Sequence, residues 1–285
     1  MTDARTLEHD GCRLSYRVRG AGSPVLLIQG VNCCGCAWRP QVDALAGRFA
    51  CLSFDNRGIG ASERVAGGTG GTRPPPLSAE QMAADALALM DAAGWSSAHV
   101  VGHSLGGIVA QHLALTARHR VRSLSLLCTT ARGADITRPS LAVVWMGIRT
   151  RVGTRRMRRR AFLDVILPPS YLASRDRDAI AGELADVFGH DLADTPSIVG
   201  EQLAALKAYD ATPRLFELAG VPTLVVSAAG DRIVPPRLGR ALAAAVPGAR
   251  YVEIPDAAHA VTVQRPDEVN ALLAEHLSAA EVPMG

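Results

Sequence analysis

Short apolar runs alternate along this chain with stretches of helical spacing. Two segments near Thr6–Glu8 and Arg13–Arg19, turned at Asp10-Gly11, predict an antiparallel pair of strands. Val25-Leu26-Leu27-Ile28 predicts a buried strand that stops at Gln29-Gly30. A helix follows near Arg39-Pro40-Gln41, with proline in its first turn. Cys51-Leu52-Ser53-Phe54 is the next buried strand and ends at Asp55. Residues 64–76 are rich in Gly and Pro and predict a mobile loop. Ser78-Ala79-Glu80-Gln81 has the S-x-x-Q form of a capping box. It launches a helix through Met82, Leu87, Leu89 and Met90, which Gly94 stops. Ala98-His99-Val100-Val101 is a strand, Gly107–Leu115 a helix and Val121–Leu127 another strand.

This alternation lapses between about residues 132 and 212. That stretch predicts helices only, over Leu141–Ile148, Thr154–Leu167, Asp178–Phe188 and Ser197–Ala208. Strands and helices resume with Thr223–Ser227, Pro236–Ala245, Tyr251–Ile254 and Pro266–Leu277. Alternation at this spacing predicts an α/β fold with a mostly parallel central sheet and helices on both faces. The expected organisation is a core of residues 1–131 and 213–285, interrupted by a helical insertion over 132–212. No internal repeat is visible.

Composition narrows the function classes. The chain has 285 residues, 48% of them hydrophobic, enough for one large core. A net charge of +3 gives no electrostatic footprint for nucleic acid. No basic segment followed by an apolar core opens the chain, and no apolar run approaches the ~20 residues that cross a bilayer. A soluble cytoplasmic protein without a membrane partner is therefore expected, and a homodimer is compatible with the sequence. Of the six cysteines, Cys33 and Cys36 have C-x-x-C spacing, but no second pair exists to complete a zinc site. The expectation is no metal, and small residues filling a tight loop.

The chemistry centres on Gly102-His103-Ser104-Leu105-Gly106, placed between a strand and a helix. That is the setting of a nucleophile elbow, where the serine occupies a strained turn and side chains at the glycines would collide with neighbouring elements. A serine hydroxyl needs an imidazole to take its proton and an acid to orient that imidazole. Asp231, in Gly230-Asp231-Arg232 after the Val225-Val226 strand, is the candidate acid. Asp256 is the rival, but it shares a short loop with the candidate base, His259, and is poorly placed to orient it from behind. His103 should point away from the Ser104 hydroxyl. Candidate oxyanion donors are the backbone N–H groups of Leu105 and of Val31, with Gly30 allowing close approach.

These residues resemble the α/β-hydrolase superfamily, and the resemblance covers the whole chain. Its marks are Gly102–Gly107, Gly230-Asp231 with Val234-Pro235, His259, and Asp55-Asn56-Arg57-Gly58-Ile59-Gly60-Ala61-Ser62, which is similar to the family's D-x-R-G-x-G-x-S turn. That turn is architectural, with Asp55 and Arg57 pinning the loop. The chain departs from many members in carrying Gln29-Gly30 where they have His-Gly. The H-G-G-P-G pattern of proline iminopeptidases is absent. A serine at the elbow argues against epoxide hydrolases and haloalkane dehalogenases, which use aspartate there. The insertion is similar in position to the helical cap of esterases, lactonases and peroxidase-like hydrolases. The resemblance implies a serine esterase acting on a small-molecule ester or lactone through an acyl-enzyme, without a cofactor. Peroxide-dependent chemistry on the same triad, and a non-catalytic ligand-binding protein, are the alternatives.

The insertion carries Trp145, Met146, Phe162, Tyr171 and Phe188, of which Trp145 and Phe162 are expected to line the substrate pocket. It also carries Arg149, Arg151, Arg155, Arg156, Arg158, Arg159 and Arg160 with no acid among residues 149–160, so a strongly positive local field is expected. A solvated helix face, an anion site and a partner interface all fit that cluster.

Overall fold

The computed structural model describes residues 4–65, 76–136, 145 and 148–281. Most of the loop expected over 64–76 lies outside these residues, as do Met146 and most of the helix expected over Leu141–Ile148.

Strands β1 (Arg5–His9) and β2 (Cys12–Arg19) pair antiparallel around the Asp10-Gly11 turn. β2 then pairs antiparallel with β4 (Phe49–Phe54). From β4 the sheet is parallel through β3 (Ser23–Ile28), β6 (Ala98–His103), β7 (Val121–Leu127), β8 (Thr223–Ala228) and β9 (Arg250–Ile254). The two-residue β5 (Glu63–Arg64) attaches to β2.

Strand β3 shows why the run Val25–Ile28 folds this way. Successive side chains point to opposite faces of the sheet. Val25 and Leu27 join one apolar cluster with Trp38, Leu45, Leu273 and Leu277. Leu26 and Ile28 join the other, with Met82, Leu89, Ile108 and Leu113. Both faces are therefore covered: by α1 (Arg39–Leu45) and α10 (Pro266–Ala279) on one side, and by α2 (Ala79–Ala92) and α3 (Leu105–Thr116) on the other. A strand buried on both faces reads as a continuous apolar run. At α2, Ser78 accepts the Gln81 N–H at 3.2 Å, but the Gln81 side chain donates to Asp10 Oδ2 at 2.9 Å. Only half of the expected capping box forms, because the β1–β2 turn competes for the glutamine.

Between β7 and β8 the described residues form α4 (Arg155–Ile166), α5 (Pro169–Ala173), α6 (Arg177–Phe188) and α7 (Ile198–Ala208). Leu163, Ile166, Ile180, Leu184 and Phe188 pack into a small cluster of their own, which also touches Ala37 and Ala260. Helix α7 instead contributes Ile198, Ala205 and Leu206 to the cluster beside β3. The remaining helices are α8 (Pro236–Ala245) and the short α9 (Val261–Gln264). No helix among the described residues is long and apolar enough to cross a membrane.

The topology places the chemistry. β3 lies between β4 and β6, so the chain leaves it in opposite directions on its two sides. Such a switch point opens a crevice beyond the carboxyl ends of the strands. Ile28 is in register with Gly102. The loop after β3 and the turn after β6 therefore emerge side by side.

Candidate active site

Ser104 sits at that turn with φ 54° and ψ −119°. This is the left-handed region that side chains other than glycine rarely adopt. The tight path from β6 into α3 is possible because its flanking positions lack side chains. A Cβ on Gly102 would overlap the Gly106 carbonyl oxygen, and one on Gly106 would overlap the Ile28 carbonyl oxygen. Ser104 N–H donates to Leu127 O at 2.9 Å, and Thr129 Oγ1 donates to Ser104 O at 2.8 Å. Both bonds tie the strained residue to β7 and the segment after it.

Asp231 and His259 come from the loops after β8 and β9. His259 Nε2 lies 3.0 Å from Ser104 Oγ, and its Nδ1 lies 2.7 Å from Asp231 Oδ2. The carboxylate accepts from Nδ1–H, which leaves Nε2 as the nitrogen that can take a proton from the hydroxyl. Asp231 Oδ1 accepts the N–H groups of Ile233 and Val234 at 2.8 and 2.9 Å. The turn role that a Gly-Asp-Arg sequence suggests is thus filled by one oxygen while the other faces the histidine. The rival Asp256 is exposed, and its carbonyl accepts Gln264 Nε2 at 2.6 Å. All three side chains are buried, with Ser104 and His259 the more open.

The loop Gly30–Asn32 supplies backbone donors. Gly30 N–H is already given to Gln29 Oε1 at 2.9 Å, and Asn32 N–H to Gln202 Oε1 at 3.1 Å. Among the described residues, the Val31 N–H between them has no partner. Leu105 is the first residue of α3, where an N–H has no acceptor within its own helix. Both expected donors are therefore available. The Gln29 side chain folds back on its own loop, so glutamine replaces the family's histidine without filling the site.

Several contributors were not singled out from the sequence. Gln202 of α7 and His190, whose Nε2 donates to Asn32 O at 2.7 Å, hold the β3 loop from the helical segment. Their link to residue 32 spans more than a hundred positions and has no local signal. Cys128, at φ 45° after β7, is fully buried, and burial, with the neighbouring Asp231, pushes its thiol pKa up. The ligating atoms of His103, Cys128 and His259 lie within 4.8 Å of one another. Both ring nitrogens of His259 are already engaged, so this cluster serves the hydrogen-bond network.

His103 does turn away from the serine hydroxyl, yet it returns to the site from behind. Its Nε2–H donates to the His259 carbonyl at 2.9 Å, and the two rings lie 5.0 Å apart. Its Nδ1 is buried without a partner. Burial first, then the neighbouring His259 ring, push its pKa down to about 3. The unfolded chain takes up this proton near the ordinary 6.5, and the folded protein does not. Stability is thus complete above about pH 6.5 and lost as the pH falls toward 3, by up to ~1.4 kcal/mol per pH unit. His103→Gln, which keeps a donor for the carbonyl, is expected to flatten the fall between pH 6 and 4 in urea-unfolding titrations. Equal slopes for the two proteins would refute this assignment.

A cavity of about 590 Å³ opens over these residues, lined by Gly30, Val31, His103, Ser104 and His259 at one end. Phe162, Val165, Ile166, Phe188, Leu192 and Ile233 form much of its apolar wall. Phe162 therefore lies where the sequence places it. Trp145 does not: it is 63% exposed and does not line the cavity. Helical periodicity identifies an apolar face but not which surface that face meets, and this tryptophan is turned to solvent. Tyr171 packs with the α4–α6 cluster. Cys33 lines the cavity, while Cys34 and Cys36 share a hydrogen bond that raises the first thiol and lowers the second to about 7.

The arginine cluster is largely neutralised by acids distant in sequence. Arg156 and Arg160 reach Asp178 at 2.6 and 2.9 Å. Arg155 reaches Asp191 at 2.7 Å and Asp194 at 2.9 Å, and Arg159 also pairs with Asp191. The strongly positive field expected from residues 149–160 is corrected accordingly.

The comparisons with known proteins agree with this geometry. A family model described as the alpha/beta hydrolase fold matches residues 23–266. RutD of Azorhizobium caulinodans, named as a candidate carbamate hydrolase, is 34% identical over 260 residues, covering 91% of this chain and 93% of its own. BpoC of Mycobacterium tuberculosis, named as a candidate non-heme bromoperoxidase, is 32% identical over 279 residues, covering 91% and 95%. The solved enol-lactonase of Burkholderia xenovorans LB400 superimposes with a TM-score of 0.77 at 28% identity, covering 96% of this chain and all (100%) of that one. With its sheet order, its serine turn and a family match spanning most of its length, the chain belongs to the alpha/beta hydrolase fold family.

Proposed function

We propose that the protein is a serine hydrolase that cleaves carboxylic ester or lactone bonds through an acyl-enzyme. The observation that carries this reading is the continuous chain from Ser104 Oγ through His259 to Asp231, at 3.0 and 2.7 Å. Ser104 Oγ attacks the acyl carbon as His259 Nε2 takes the hydroxyl proton. The carbonyl oxygen becomes an oxyanion, for which the Val31 and Leu105 N–H groups are the donors. The tetrahedral intermediate collapses as His259 returns the proton to the leaving alkoxide oxygen. Water, deprotonated by the same nitrogen, then attacks the acyl-serine, and the acid leaves with Ser104 restored.

The names of the relatives fit that scheme, since a carbamate, an ester and a lactone all present an acyl carbon to one nucleophile. Residues 132–212 act in this reading as a cap over a core of 1–131 and 213–285, with Gly30 and Phe162 touching substrate. Six free cysteines suit the reducing cytoplasm. The substrate is a small molecule, and neither nucleic acid nor a membrane takes part. Peroxide in place of water is the second reading, favoured by the likeness to BpoC.

An ester panel of graded acyl length, with a lactone and a peroxide arm, tests the proposal. Turnover of at least one ester, with a serine-directed fluorophosphonate labelling Ser104, is the expected result. Labelling of a different residue, or no turnover of any substrate, overturns it.

A further inference from the structure

The cavity is polar at its catalytic end and apolar along its wall, but two cations line it as well. They are Arg151 and Lys207, the single lysine of the chain. Both are exposed, and neither has an acidic partner among the described residues. That sets Arg151 apart from Arg149, Arg155, Arg156, Arg159 and Arg160, each of which meets an aspartate. Arg158 has no acid either, but it does not line the cavity. Asp194 is the acid on the lining, and Arg155 holds its Oδ1 at 2.9 Å. Residues 137–144, 146 and 147, which are not described, include Arg138 and no Asp or Glu.

The placement of Lys207 follows from α7. Val199, Leu203 and Lys207 are spaced at i, i+4 and i+8, share one helix face, and all line the cavity. At 1.5 Å per residue this stripe runs about 12 Å along the helix axis. It passes from buried Val199 to exposed Lys207. Leu203 between them is 41% exposed and carries the apolar wall outward toward Lys207. Arg151 reaches the lining from a different segment, just before α4.

We infer that Arg151 and Lys207 form an anion-binding rim, and that the substrate is an ester or lactone carrying a carboxylate at the end of its chain remote from the scissile bond. This rests on the proposed ester hydrolysis at Ser104. The apolar wall takes the hydrocarbon, and the rim takes the carboxylate. Because the carboxylate does not change during the reaction, the rim contributes equally to substrate and transition state and acts mainly on KM.

The test compares mono-4-nitrophenyl suberate with 4-nitrophenyl octanoate, an eight-carbon pair differing only in the terminal carboxylate. Wild type is expected to favour the suberate in kcat/KM, less so as salt is raised. Arg151→Ala combined with Lys207→Ala is expected to lower the suberate-to-octanoate ratio about five- to tenfold, through KM. Lys207→Arg should retain most of the preference. Binding of monomethyl suberate and methyl octanoate to Ser104→Ala, with and without the rim substitutions, is measured by calorimetry. A carboxylate advantage that the rim substitutions remove supports the rim even if no ester turns over, which would sink only the hydrolytic reading. A ratio and a binding difference indifferent to these substitutions overturn the rim itself.

Discussion

Ser104→Ala is expected to lower kcat for ester hydrolysis by roughly 10⁶-fold while leaving ester binding nearly intact. The oxygen that forms the acyl bond is lost, but the cavity wall and the two backbone donors remain. They support a residual rate of roughly 10³–10⁴ over water. His259→Ala should cost about as much, and the double substitution little more, because nucleophile and base act as one unit. Asp231→Asn should cost about 10⁴-fold, since an amide cannot fix the Nδ1–H tautomer that the 2.7 Å contact imposes. Stability should move the other way at the elbow. Ser104 is held at φ 54°, and strain of this kind costs of order 1–3 kcal/mol. Ser104→Gly relieves it, so that variant is expected to be inactive and to melt higher than wild type. Single-turnover kinetics and thermal melts read both effects. Turnover by Ser104→Ala within tenfold of wild type would remove the serine from the mechanism.

How much of this was legible in the sequence depends on distance along the chain. Val25–Ile28 declares itself as a strand because burial on both faces leaves an unbroken apolar run, and Ala98–His103 is legible from its Val100-Val101 core even though buried His99 interrupts the pattern. Ser104, Asp231 and His259 are legible because each follows such a strand, and a parallel sheet gathers the loops at its carboxyl ends. What joins residues across the fold is not legible. Asp178 and Asp191 neutralise arginines that look like an unopposed cluster in sequence. Gln202 and His190 hold the β3 loop from far downstream. Trp145 shows the same limit from the other side, since its apolar bulk says nothing about which surface it meets. Asp55 and Arg57 are an intermediate case. The turn they belong to is recognisable, but they do not pair with each other. Asp55 accepts the N–H groups of Gly35 and Ala61 at 2.7 and 2.9 Å, and Arg57 finds a different acid.

The β3 loop connects the two halves of the site. Gln202 and His190 lie in or beside the helices that wall the cavity, and both bond Asn32, next to the proposed oxyanion donor Val31. The donor loop is therefore pinned, through Asn32, to the helices that wall the cavity. Preorganisation of that donor matters because its value depends on being aimed before charge develops.

The acid that Arg57 finds is Asp85 of α2, and breaking this pair is expected to have the largest effect on stability. Arg57 Nε and Nη2 reach the carboxylate at 2.5 and 2.7 Å, with side-chain exposures of only 3% and 2%. Arg57 also donates to the carbonyls of Asp10 and His9 at 2.8 and 3.3 Å, and His9 Nδ1 lies 2.8 Å from Asp85. One guanidinium thus joins the turn after β4, the β1–β2 turn and α2. Asp85→Ala leaves that buried charge only the exposed Asp10 carboxylate, 3.6 Å away, and should cost about 3 kcal/mol. For a chain of this length that is a fall in Tm of roughly 10 °C. Distance alone does not set this value. Arg13 and Glu63 lie as close, at 2.6 Å, but with exposures of 47% and 65%. Glu63→Gln should therefore cost less than about 1 kcal/mol, because water screens the pair and solvates the arginine left behind. Arg57→Met combined with Asp85→Leu separates the two explanations. If the cost of Asp85→Ala comes from an uncompensated buried charge, the apolar pair recovers most of the stability. If the double variant melts as low as Asp85→Ala, the backbone bonds from Arg57 to the β1–β2 turn are what hold this corner of the sheet.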